Sequence, residues 1–151
     1  CVADDRNQRL FVGEEDVAVW TLDARADAPT RLEQVIASGN LVHDDIEGLA
    51  VYQGATRNYL VISSQGNDSY VVLDATAPFA VRGAFRIGLN AQQGIDGASE
   101  TDGLDVTSAN LGGIWNAGML VVQDGRKRMP EDRQNYKYLP WTAVAKSLGL
   151  E

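Results

Sequence analysis

The stretch HDDIEGLAVY, residues 43–52, crowds Asp44, Asp45 and Glu47 against the start of a short apolar run, with Gly48 directly after the last acid. Carboxylates this close repel one another and share a site only when a cation or a proton intervenes. A second acid–glycine pair, Asp102-Gly103, lies in ETDGLDV, and Glu15 stands in VGEED. Asp45 and Glu47 are two residues apart, which puts them on one side of an extended backbone. Asp96 in GIDG and Asp105 in GLD are expected to add oxygen donors nearby. A set of oxygen donors without a histidine or cysteine cluster suits Ca²⁺, which takes about six to eight of them. Zinc is disfavoured, because His43 is the only histidine and Cys1 the only thiol. The plainer reading of the same residues is turn chemistry, in which Asp caps the backbone and Gly supplies a positive φ.

The bulk composition narrows the function classes. A net charge of −8 over 151 residues argues against nucleic acid, whose phosphates require a basic face. It favours cation binding, or an anionic ligand reached through a bridging metal. No apolar run approaches the roughly 18 residues of a membrane helix, so no membrane partner is expected. A single cysteine permits no intramolecular disulfide and leaves the redox compartment undetermined. His43 reads as a loop residue, and Arg126-Lys127-Arg128 as a solvated loop charge run. Asn67-Asp68-Ser69 matches the short glycosylation triplet. Trp20, Trp115 and Trp141 are expected in the core or between packed sheets.

These residues need elements to position them. Fifteen glycines, short β-branched runs and frequent turn signals point to an all-β chain. Strands are expected at 9–12, 17–22, 34–38, 49–52, 59–63, 69–73, 81–87, 104–107, 119–123 and 136–139. Only WTAVAKSLGL reads as a helix, with Trp141, Val144, Ala145 and Leu148 at helical spacing after Pro140. One plan recurs in segments beginning at Cys1, Ile46 and Thr101: a small strand, a polar turn, and an apolar strand ending in Gly, Ser or Gln near a charge. Aligning Cys1, Leu49 and Leu104 gives spacings of 48 and 55 residues. Periods of this size with several strands per unit mark β-propeller blades. About three blades are then present, and equivalent positions converge on one channel, which would bring Glu47 and Asp102 together. A closed propeller needs at least about four blades. Residues 1–151 are therefore expected to be part of a longer propeller, or to associate edge to edge with a second copy.

Beyond these patterns, DIEGLAVY, YLVISSQGNDSY, ETDGLDV, VVQDG and QNYKYLPW occur in the order and spacing of the β-propeller phytases. VADDRNQRLFVGEEDVAVW resembles the preceding blade, so the resemblance covers nearly the whole chain. It implies the C-terminal half of a six-bladed, calcium-dependent 3-phytase propeller, secreted or periplasmic, in which several Ca²⁺ ions serve hydrolysis of phytate by activated water. Residue by residue, it implies active-site roles for Glu15, Asp45, Glu47 and Asp102. Calcium ligation is implied for Asp45, Glu47, Asp102 and Gln65, and a structural calcium between blades for Asp96 and Asp124. The phosphate-gripping lysines and arginines of the family's N-terminal blades are not in this chain, so these residues alone are expected to be incomplete as an enzyme. One departure stands out. After VVQDG the family continues with an acid and an amide, whereas this chain has Arg126-Lys127, so a basic side chain is expected to fill that volume, tethered to Asp96 or Asp124. A non-catalytic calcium-binding propeller and a lactonase-like calcium-dependent hydrolase are the alternative readings.

Overall fold

A computed structural model describes Cys1–Glu151. The chain forms three antiparallel sheets in succession. The first holds β1 (Val2–Asp4), β2 (Arg9–Glu14), β3 (Ala18–Asp23) and β4 (Glu33–Ala37), in that order. The second holds β5 (Ile46–Gln53), β6 (Asn58–Ser64), β7 (Ser69–Asp74) and β8 (Val81–Phe85). The third has β9 (Leu104–Thr107), β10 (Met119–Asp124) and β11 (Asn135–Pro140), with β10 in the middle. A single helix, α1 (Trp141–Leu148), closes the chain. The expected all-β class, the blade-like sheets and the short C-terminal helix are all present. The short strand β1 pairs with β2 through Val2 and Phe11. Sequential meanders of this kind are the arrangement of propeller blades, and a ring would need sheets beyond these three.

Packing explains the apolar runs. All seven residues of β6 are buried, because the second sheet is covered on both faces. Leu60 and Ile62 point into a core shared with the first sheet, where Phe11, Val19 and Val42 meet Val71 and Leu73. Tyr59 and Val61 point the other way, into a core with Leu120 and Val122 of the third sheet and Trp141 of α1. A strand buried on both faces reads as continuous apolar sequence rather than as alternation. Helix α1 joins the second and third sheets. Trp141 is 1% exposed and stacks on Tyr52 with ring centroids 3.8 Å apart. The helix ends at Gly149, whose left-handed backbone lets its N–H donate to the Ala145 carbonyl. Trp115, expected in a core, instead lines an open groove with Ile114 and Met129.

Candidate functional site

Three neighbouring sheets deliver the acids. Glu15 follows β2, Asp45 directly precedes β5, Glu47 is the second residue of β5, and Asp102 precedes β9. The first junction is a backbone hydrogen bond, in which the Ile46 N–H donates to the Glu15 carbonyl at 2.9 Å. The second depends on Gly48. A Cβ there would stand 2.9 Å from the Leu104 nitrogen and 3.3 Å from the Asp102 carbonyl oxygen, so only glycine lets β5 and β9 approach this closely. Glu47 thus lies between Glu15 and Asp102. Partial burial raises its carboxyl above the ordinary glutamate value, and the charges of Glu15, Asp102 and Asp45 raise it further.

Asp45 adopts a left-handed backbone with φ of 61°, a conformation that Asp tolerates better than most residues. Its N–H faces the Asp16 carboxylate at 3.4 Å, and its carbonyl accepts from Gln65 N–H at 3.1 Å. Beside it the Gly66 N–H donates to the Asp44 carbonyl, which a Cβ on Gly66 would meet at 2.6 Å. The turn at Gln65–Asn67 is therefore zipped onto the DD pair. From that turn the Gln65 side-chain amide donates to Asp102 Oδ1 at 2.5 Å, which leaves its amide oxygen as a neutral donor to a cation.

Asp102 rests on a buried polar network. The Tyr70 hydroxyl and Thr101 Oγ1 are 2.6 Å apart, and Thr101 Oγ1 donates to the Gln123 carbonyl at 2.8 Å. Since the threonine proton is committed there, the tyrosine is the donor. Burial pushes the Tyr70 phenol up to about 12, so it keeps that proton at any ordinary pH. Ser63 donates to the Thr101 carbonyl, and Gln123 Oε1 accepts the Asp102 N–H, both at 2.8 Å. Satisfied buried networks hold a unique geometry. Asp16, Thr101 and Gln123 were not singled out by sequence. Asp16 and Gln123 accept from backbone N–H groups, and Thr101 meets the Tyr70 hydroxyl and the Gln123 carbonyl across packed sheets, pairings that no side-chain pattern encodes.

Other expected donors lie elsewhere. Asp105 accepts its neighbour Val106 N–H and does not join the cluster by hydrogen bonding. Asp96 is away from the four acids, in a second assembly with Asp124. There the cation is Lys137 of β11, with Nζ 2.9 Å from Asp96 Oδ1 and 2.6 Å from Asp124 Oδ2. This corrects the expectation placed on Arg126-Lys127: Arg126 pairs with Glu100 at 2.9 Å, and Lys127 donates to the Pro130 carbonyl. Both side chains come from a loop turned toward solvent, whereas β11 directs Lys137 inward. The Arg128 N–H, then the Lys137 ammonium, hold the Asp96 carboxyl down at about 2. Burial alone would lower the Lys137 ammonium, but Asp124 and Asp96 outweigh it and raise the group above its ordinary value. His43 is exposed, with its backbone N–H donating to Ser64. In the triplet, Asn67 Oδ1 accepts from the Ser64 and Ser69 hydroxyls.

A cavity of about 760 Å³ lies between β11 and the loop after β8 and touches none of the four acids. No three acidic, histidine or cysteine side chains converge closely enough to form a ready metal cage. By chemistry the set still fits a hard divalent cation: carboxylate and amide oxygens, no nitrogen or sulfur ligand, and a central acid whose charge is disfavoured by partial burial and by its neighbours.

Comparison with known proteins places the chain in a family. The family profile described as Phytase matches residues 1–151. A 3-phytase of Bacillus subtilis (strain 168) is 36% identical over 152 residues, which takes in 98% of this chain and 39% of that protein. The chain therefore spans well under half the length of this relative. With a match over its whole length, the chain belongs to the phytase family.

Proposed function

We propose that this chain is the C-terminal part of a β-propeller phytase and supplies part of its site for calcium-dependent hydrolysis of phosphate from phytate. The observation that carries this reading is Glu47, held between Glu15 and Asp102 of neighbouring sheets, with its carboxyl raised first by partial burial and then by their charge. The substrate class is supported by family membership and by the name of the Bacillus subtilis relative.

Phytate and this acidic cluster are both anionic at neutral pH and repel each other unless a cation stands between them. Glu15, Asp45, Glu47 and Asp102 would hold calcium, with the Gln65 amide oxygen as a neutral donor. Bound there, calcium would neutralise both partners and act as a Lewis acid toward the phosphoryl group. The chain's own part is placement. The Gly48 approach fixes the spacing of Glu47 and Asp102, the Gln65 turn orients Asp45, and the Thr101–Gln123 network keeps the Asp102 loop from relaxing outward. The exposed His43 is not drawn into this arrangement, so the residues act through charge and orientation. Export from the cytoplasm is part of the proposal, as the family resemblance implies. No helix here is long and apolar enough to cross a membrane.

The test is phosphate release from phytate by the native-length protein carrying Asp102→Asn or, as a control, Asp105→Asn. Asp102→Asn should cost about 100-fold or more, the scale of losing one preorganised electrostatic contact. Asp105→Asn should be near wild type. Equal activity in both variants would remove Asp102 from the site.

A further inference from the structure

Lys137 lies on β11 between two exposed tyrosines, Tyr136 at 62% and Tyr138 at 59%, yet its own side chain is only 7% exposed. Three oxygens surround the Lys137 ammonium, the first two as hydrogen-bond acceptors and the third as an ion-pair partner. These are Asp124 Oδ2 at 2.6 Å, Asn135 Oδ1 at 2.8 Å and Asp96 Oδ1 at 2.9 Å. The remaining carboxylate oxygens are held by backbone. Asp124 Oδ1 accepts from Ser99 N–H at 3.1 Å and Arg126 N–H at 3.3 Å. Asp96 Oδ2 accepts from the Arg128 and Met129 N–H groups. Each carboxylate is thus fixed with one oxygen facing a common point, which is how two acids are set to share a cation. At that point stands the Lys137 nitrogen.

We infer that Lys137 is a built-in cation that takes the place of a divalent ion between Asp96 and Asp124, so that this pair binds no calcium in this protein. Carboxylate oxygens hold Ca²⁺ at about 2.3–2.6 Å, and an ion at that distance from both acids would overlap the ammonium. Entry would therefore require displacing a largely buried lysine, or packing three positive charges against two negative ones. The two acids belong to different elements, Asp96 to the loop after β8 and Asp124 to the end of β10. The ammonium clasps that loop to the third sheet as a metal would, and it does so by a covalently attached group that chelators cannot remove. Calcium dependence is then confined to the cluster around Glu47, and removing calcium leaves this junction closed.

The inference is tested by counting Ca²⁺ bound per native-length protein by calorimetric titration, together with the unfolding midpoint in chelator and in millimolar Ca²⁺. Asp96→Asn should leave the number of bound ions equal to wild type. Lys137→Met, which keeps most of the side chain and removes the ammonium, should bind one ion more than wild type. Its midpoint should fall in chelator and recover in calcium by more than the wild-type gain. Loss of one ion in Asp96→Asn would overturn the inference, as would a folded Lys137→Met protein with the wild-type ion count and calcium response. Should Lys137→Met fail to fold even with calcium, the Asp96→Asn count decides alone.

Discussion

Glu47→Gln should stabilise the calcium-free protein near neutral pH while removing its activity. Glu47 carries the charge that its surroundings tolerate least, with burial first and then Glu15, Asp102 and Asp45 disfavouring ionisation. The glutamine keeps the shape and removes that charge. Glu47 is partly open to solvent, so its repulsions are screened, and exposed charge pairs are worth about 0.2–1 kcal/mol each. A net gain of about 1 kcal/mol at low salt is expected, or roughly 2 °C in the unfolding midpoint of a protein this long or longer. The sign with pH follows from linkage. The folded carboxyl is raised, so the folded state holds its proton more readily than the unfolded chain, and the penalty of the charge grows as pH rises through the raised value. The advantage of Glu47→Gln should therefore be full above that range and absent below about pH 4, where glutamates are protonated in both states. Thermal unfolding in chelator from pH 4 to pH 8 reads this directly. Millimolar calcium should reverse the ranking, because the wild type gains the ion and the variant binds it more weakly. A variant less stable than wild type in chelator at pH 7, or an advantage that ignores pH, would refute the reasoning.

Three further outcomes are expected. Gly48→Ala places a methyl 2.9 Å from the Leu104 nitrogen, which should cost about 1–3 kcal/mol in denaturant unfolding and weaken calcium binding by separating Glu47 from Asp102. Trp141→Ala should cost about 3–5 kcal/mol by emptying the space against Tyr52. Trp141→Phe should cost far less, since the buried indole N–H has no hydrogen-bond partner to lose. The Asp96 carboxyl is depressed to about 2, so its contribution to stability is present above the ordinary aspartate range and lost as pH falls through that value. Asp96→Asn should accordingly lower stability at pH 7 and flatten its decline between pH 4 and pH 2 in acid titrations.

Much of this was legible in the sequence, for reasons that particular residues make clear. The repeat beginning at Leu49 and Leu104 encodes equivalent strand starts, so Glu47 and Asp102 could be paired although they are far apart in the chain. YLVISS and SYVVLD read as strands because β6 and β7 are covered on both faces. Lys137 was hidden by its neighbours. In NYKYLP, alternation read by hydrophobicity puts the tyrosines inside and the lysine out, whereas the fold does the reverse to satisfy Asp96 and Asp124. The Arg126-Lys127 pair pointed to a cation at this place but not to its source, because which basic side chain turns inward depends on the register of β10 with β11. Asp16 and Gln123 escaped for a related reason. Each acts on a backbone N–H of an acid that was recognised, and such contacts exist only once the sheets are packed.

The most direct measurement is the rate of phosphate release from phytate by the native-length protein, in millimolar calcium and in chelator, with magnesium as the comparison ion. Release that requires calcium, is poorly supported by magnesium and is lost in Glu47→Gln is the predicted result. Undiminished release in chelator, or full activity without the Glu47 carboxylate, would contradict the assignment of this cluster as the calcium-dependent site.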